Sequence, residues 1–334
     1  MHKIPRFFLC LALLVPGIFS PTVAGVILQA DSGLSTFHGT TSYDITFTSK
    51  DPTLGTIQWE SKLAFDLGAT LWHVGLGAGF FQNRLILKGS YAKSVDEYGG
   101  KVRDQDWNYN SVVNSVYEPL MGDTLSDINS KVKIYSVQAE WTGVRFGKND
   151  HGRFFMSGGY ERQDFGTFTL YDIDGYYSGL LSSDGSVQTI DKTYTDPVGT
   201  YKVNYDIIYT LFGLGYHVGK FEFKTDVRVG ALDYRDHDEH LLRKKTCIST
   251  GTGLLGGWDA DVVWRPWKGL SLDLSGRITS LSADGRQIQT FYDGSGILPI
   301  PVDDHLSSYQ TDLGLTLAYA FDLHPSSSAA SQSK

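Results

Sequence analysis

Two short acidic segments hold residue types that could do chemistry: Asp104-Gln105-Asp106-Trp107 and Asp236-His237-Asp238-Glu239-His240. Residues two apart in an extended strand share a face. In that conformation Asp104 stands with Asp106, and Asp236 and Asp238 stand with His240. A carboxylate beside an imidazole fixes its tautomer and makes it a better base. Two close carboxylates repel, so one keeps a proton to donate to an oxyanion while the other orients water. Acting together, the two sets would hydrolyse a substrate by activating water, with no covalent intermediate. Neither a serine nor Cys247 lies in a nucleophile motif. His237 and His240 are three apart and fall on opposite strand faces, which argues against a shared metal; no metal or other cofactor is expected. Charged pairs are ordinary at barrel rims, so one Asp-x-Asp says little. Two such motifs in phase at matching strand ends say more.

The rest of the chain has to bring both sets to one place. Apolar and polar residues alternate with period 2 along Phe221–Val229, Leu270–Ile278 and Leu313–Phe321, and along Ile57–Leu67. The polar face is charged, and tryptophans (Trp59, Trp72, Trp141, Trp258, Trp264, Trp267) rim the apolar one. A soluble sandwich also alternates. Aromatic girdles with a charged opposite face fit a transmembrane barrel better, with its apolar side toward lipid. The fold expected is therefore all-β, a ten-stranded antiparallel transmembrane barrel. Its strands run over roughly 26–48, 56–74, 83–107, 131–147, 153–172, 200–217, 221–240, 253–266, 269–291 and 308–321. Connections after even strands are tight, whereas 108–130, 173–199 and 292–307, after odd strands, are long. Such barrels have short periplasmic turns and long external loops, so odd strands end outside. Both acidic motifs close odd strands and share the outer rim. Continuing the even, polar phase of 222–228 turns Asp236, Asp238 and His240 into the lumen. The phase of Lys88 and Ser90 does the same for Asp104 and Asp106 unless a bulge at Gly99-Gly100 intervenes. Spanning takes about 9–11 residues, so strands such as 221–240 should project above the outer membrane and hold the site in the extracellular medium.

Composition narrows the function classes. The 334 residues carry a formal charge of −8, which disfavours nucleic acid as a partner, since phosphate binding needs a basic surface. Two cysteines build no disulfide framework. Lys3 and Arg6 precede an apolar run from Phe7 to Val15 and a small-residue stretch ending at Ala24, the pattern of a cleaved signal peptide over 1–24. The barrel then occupies 25–321, and the polar tail 322–334 is expected to be disordered.

With these motifs the sequence resembles the omptins, ten-stranded outer-membrane aspartate/histidine proteases. Asp104-Gln105-Asp106-Trp107 matches their Asp-Gln-Asp-Trp motif; Asp236–His240 matches Asp-Asn-Asp-Glu-His with His237 in place of Asn. Weaker similarity covers Gly159-Tyr160, Tyr201-Lys202, Gly213–Tyr216, Phe221-Glu222 and the aromatic last strand. The resemblance implies an aspartic-type endopeptidase with Asp104 and Asp106 as a catalytic pair and Asp238 and His240 as a second. It also implies cleavage of cell-surface peptides or proteins at basic residues. Of the family's two acidic substrate-binding positions, Asp236 keeps one and Tyr43 stands at the other, so the basic preference rests on Asp236. Tyr160 matches a lipopolysaccharide-binding position, whereas Asn204 stands where the family has Arg. Lipopolysaccharide is thus expected as an activator at most. The competing reading is a non-enzymatic barrel, an adhesin or small porin. A third is a surface barrel that binds cations at its acidic rim.

Overall fold

The computed structural model describes residues 26–51, 55–109, 120–178, 187–192, 196–242, 244–291 and 300–322. The expected signal peptide over 1–24 and the residues beyond Asp322 lie outside the described residues. Thirteen strands form one antiparallel sheet: β1 (Ile27–Asp51), β2 (Gly55–Phe80), β3 (Leu85–Ser94), β4 (Tyr98–Asn108), β5 (Leu120–Ser130), β6 (Val132–Phe146), β7 (Gly152–Ser178), β8 (Val187–Lys192), β9 (Gly199–Val218), β10 (Phe221–His240), β11 (Lys245–Trp267), β12 (Leu270–Phe291) and β13 (Ile300–Asp322). β1 pairs with both β2 and β13, which closes the sheet on itself. β2 pairs with β3 below and β4 above, and β7 likewise with β6 and β5, so each broken pair acts as one stave. β8 only extends β7. The twelve segments around the ring are thus ten staves, and the expected barrel is present.

The breaks have a simple geometry. Ser94 and Tyr98 both turn inward, with Val95–Glu97 bulging out between them and Lys131 pairing with Glu97 at 2.8 Å on the neighbouring stave. Three residues separate the two inward positions, so the alternation resumes in phase and the flip considered at Gly99-Gly100 does not occur. The stretches 108–130, 173–199 and 292–307 are not all loop. They contain β5, the end of β7, β8 and the first residues of β13.

β10 shows how the wall is built. Phe221, Phe223, Val227 and Val229 face outward and are exposed, a surface suited to hydrocarbon rather than water. From Asp233 the outward residues are Asp233, Arg235, His237 and Glu239, so the upper half of this 20-residue strand stands in water. The inward ladder ends in Arg228, Leu232, Tyr234, Asp236, Asp238 and His240. The lumen is filled in two tiers. Lower down, Arg228 and Arg277 each reach Glu161 at 3.2 Å and also pair with Asp259. Above them Phe65, Phe165, Phe168, Tyr201 and Tyr205 are fully buried and pack ring on ring, with Phe65 and Tyr201 centroids 4.3 Å apart. This aromatic tier is a floor under the rim.

Candidate active site

The last two inward residues of β10 form the pair read from the sequence. His240 Nε2 lies 2.8 Å from Asp238 Oδ2. Asp238 is buried, while His240 is partly open toward the groove. The two are fixed because the strand runs in register with β9 and β11 up to its end, where His240 pairs with Gly199 and with Lys245. Across the barrel, Tyr43 on β1 is fully buried and its hydroxyl donates to the same Oδ2 at 2.7 Å. Stacking on Tyr201, with centroids 5.1 Å apart, holds the Tyr43 ring in place. Burial alone would raise the Asp238 carboxyl. The charge of His240 and the hydrogen bonds from His240 and Tyr43 outweigh it and hold the group below the usual carboxylate range. Burial, and then the Asp238 charge, push Tyr43 well above the usual phenol range, so it stays a donor.

Asp104 and Asp106 occupy β4, whose inward face is marked by buried Val102 and Asn108. The even phase places both aspartates on that face. Their outward neighbours Arg103 and Gln105 instead bond Asp123 of β5. Tyr43 pairs with Leu63 and Leu63 with Asp104, which sets Asp104 two staves from Tyr43 on one register row. β4 is four staves from β10 by way of β9, β7 and β5. The two acidic sets therefore face each other from well-separated walls of one rim. His237 points outward and meets Glu239 at 3.4 Å, as the alternation requires.

Asp236 lies one rung below Asp238 and is almost fully enclosed. Its Oδ1 accepts the Ser249 N–H at 2.9 Å, and its Oδ2 is buried with no hydrogen-bond partner among the described residues. Asp304 of β13 is also buried; its Oδ2 accepts from Tyr234 at 2.7 Å and its Oδ1 is likewise unpartnered. Burial, then the charge of Asp304, push Asp236 up to about 8, against the pull of Ser249. The unfolded chain ionises this group near 3.8, so the folded state binds more protons between those values. Its contribution to stability is full below about pH 4 and lost as pH rises through about 8. Between pH 5 and 9 the heat-unfolding midpoint should therefore fall less steeply in Asp236→Asn than in the native chain. Parallel curves would show that Asp236 ionises normally.

Sequence reasoning did not find Asp304, Ser249 or the closeness of Cys247, because 300–307 and 245–252 were read as connections. Alternation of Val302, Asp304 and Leu306 with Asp303 and His305 was the available signal. Cys247 pairs directly with Asp238 and is fully buried; burial, then the Asp238 charge, push its thiol up to about 12. Tyr160 lies on the outer surface, where its hydroxyl donates to Asp206, which Arg162 also reaches at 3.1 Å.

No protein-family model matches this chain, and no curated protein matches it. Among solved structures, the outer membrane protease OmpT from Escherichia coli superposes with a TM-score of 0.73 at 15% identity, covering 91% of this chain and 99% of that one. The translocator domain of the autotransporter NalP from Neisseria meningitidis aligns over 94% of this chain and 93% of its own at 10% identity, with a TM-score of only 0.34. The fold is that of an outer-membrane β-barrel.

Proposed function

We propose that the chain is an omptin-like endopeptidase of the outer membrane, with its active site on the extracellular rim. The observation that carries this reading is the Asp238–His240 pair at 2.8 Å, braced by Tyr43 and faced across the groove by Asp104 and Asp106. His240 takes the proton from a water that Asp104 and Asp106 position, and the hydroxide attacks the peptide carbonyl. His240 then returns the proton to the leaving amine. Asp238 holds the ring and stabilises its charged form. No metal enters the scheme. The carboxylates of Asp104, Asp106 and Asp238 on the inward faces of β4 and β10 favour peptides carrying Arg or Lys through their negative field. Asp236 ionises more readily when a cationic side chain approaches, which supports its place in substrate binding. Lipopolysaccharide, as an activator, would meet the outer face at Tyr160, where Arg162 is already paired with Asp206. We expect stimulation to be modest for that reason.

The test is cleavage of quenched-fluorescence peptides containing paired basic residues by the purified barrel, with and without lipopolysaccharide and with EDTA throughout. Cleavage beside Arg or Lys supports the reading. A folded barrel that cuts neither these nor a mixed peptide library would favour an adhesin. The filled lumen weighs against a porin, and single-channel conductance checks that point directly.

Tyr43 is a positioning residue in this scheme. Tyr43→Phe keeps the stacked ring and removes one hydrogen bond to a charged group, worth about 1.5–3 kcal/mol. The expected result is a fall in kcat of about tenfold or more with KM little changed. An unaltered kcat would show that Tyr43 does not orient the pair.

A further inference from the structure

The floor of the rim holds a third donor that the proposed reaction does not use. Cys247 of β11 sits directly opposite Asp238 of β10 in the sheet register. One ligand atom each from Asp238, His240 and Cys247 lies within 4.8 Å of the other two. We propose that these three side chains form a binding site for a thiophilic divalent cation, with Zn²⁺ as the type, and that its occupation switches the Asp238–His240 pair off. Donor chemistry selects the cation. Carboxylates alone suit Ca²⁺ or Mg²⁺, whereas adding an imidazole and a thiolate shifts preference to Zn²⁺ and its softer relatives.

The geometry is close to what such an ion needs. Tetrahedral Zn²⁺ with Zn–S near 2.3 Å and Zn–N near 2.0 Å places those donors about 3.5 Å apart. From an outer limit of 4.8 Å the donors have about 1 Å to close, a movement that side-chain rotation of Cys247 and of the partly exposed His240 supplies without moving the paired strands. The exposed edge of His240 also gives the ion an entry path. Binding forms a metal–sulfur bond and releases the thiol proton to solvent, and the imidazole offers its unprotonated nitrogen. Three protein ligands leave a fourth position for water, but His240 no longer has a free base nitrogen. Lys245 opposes the cation by charge. Its Nζ is drawn toward Gln289 Oε1 at 3.3 Å, and removing that charge with Lys245→Met should tighten binding.

The inhibition arm of the test rests on the protease reading; the spectroscopic arm does not. Cys10→Ser leaves Cys247 as the sole thiol of the chain. Titrating that barrel with Co²⁺ should give a near-ultraviolet thiolate-to-cobalt charge-transfer band that saturates at about one equivalent and is displaced by Zn²⁺. The band should vanish in Cys247→Ser, with heat-modifiable gel mobility checking that the variant is folded. In peptide cleavage, the Zn²⁺ concentration giving half inhibition, measured against each variant's own uninhibited rate, should rise about tenfold or more in Cys247→Ser. Cobalt bound without the band, or a band persisting in Cys247→Ser, overturns the site. A band in a barrel that cleaves no peptide upholds the site and sinks the protease reading. Cleavage with neither band nor zinc sensitivity does the reverse.

Discussion

His240→Ala should lower kcat toward a basic peptide by about 10²–10⁴-fold, the range general acid–base catalysis contributes, and change KM little. The imidazole alone in the set can both accept the proton of water and return it to the leaving amine. Removing it leaves binding and the negative field of the groove in place, so the loss belongs in the chemical step. Asp238→Asn should lose nearly as much by a different route. The amide is isosteric but can no longer stabilise the charged ring that forms as water is deprotonated, and it can present an N–H where His240 Nε2 expects an acceptor. Because the two act as a unit, the double variant should be scarcely worse than either single one. The measurement is kcat and KM for all three, with EDTA present. Additive losses would mean two independent groups. Wild-type kcat in a folded His240→Ala barrel would remove His240 from the chemical step and overturn the mechanism.

The fold was legible where one face of a strand meets lipid. In the lower half of β10 the oily residues are odd-numbered, Phe221 to Val229, and the sequence shows the strand at once. Above the membrane the outside is water, so the apolar residues move to the inner face: Leu232 and Tyr234 are even-numbered and buried. The hydrophobic alternation thus changes phase along one strand. A reading that follows a single oily face finds the spanning half and misses strands confined to the upper half. β5 is such a strand. Met121, Ser126, Ile128 and Ser130 face inward and the outward residues are mostly polar, with a register shift beside Leu125. The first residues of β13 and β11 were missed for the same reason, and with them Asp304 and Cys247. The acidic sets themselves were legible because the inward face keeps its even phase: Glu222, Asp226, Asp236 and Asp238 all turn inward, on either side of Leu232 and Tyr234. What spacing could not show is reach across the lumen, and so the hydroxyl of Tyr43 on Asp238 appears only in three dimensions.

Stability and chemistry should separate along the barrel axis, and Arg228 tests this. It is 1% exposed, lies 3.2 Å from Glu161 and 3.6 Å from Asp259, and covers the Tyr209 ring at 4.1 Å. Arg228→Met keeps most of the volume but strands Glu161, itself buried, with Arg277 as its remaining cation among the described residues. Breaking a buried pair by removing one partner costs about 3–5 kcal/mol. The retained Arg277 contact puts this variant at about 3 kcal/mol, enough to lower the urea and heat midpoints clearly. Adding Glu161→Gln removes the orphaned charge, and much of the loss should return even though a second native contact has gone. Gln163 can still bond the amide, and Arg277 keeps Asp259 at 3.1 Å. A double variant no more stable than Arg228→Met would mean that the arginine acts through packing on Tyr209 rather than through charge. Below the unfolding transition, both variants should keep native kcat, because the aromatic floor of Phe65, Phe168 and Tyr201 separates the ion network from Asp238 and His240. A parallel loss of kcat in folded protein would instead show that the lumen charges set the position of the rim. The floor would then transmit their arrangement rather than insulate the site from it.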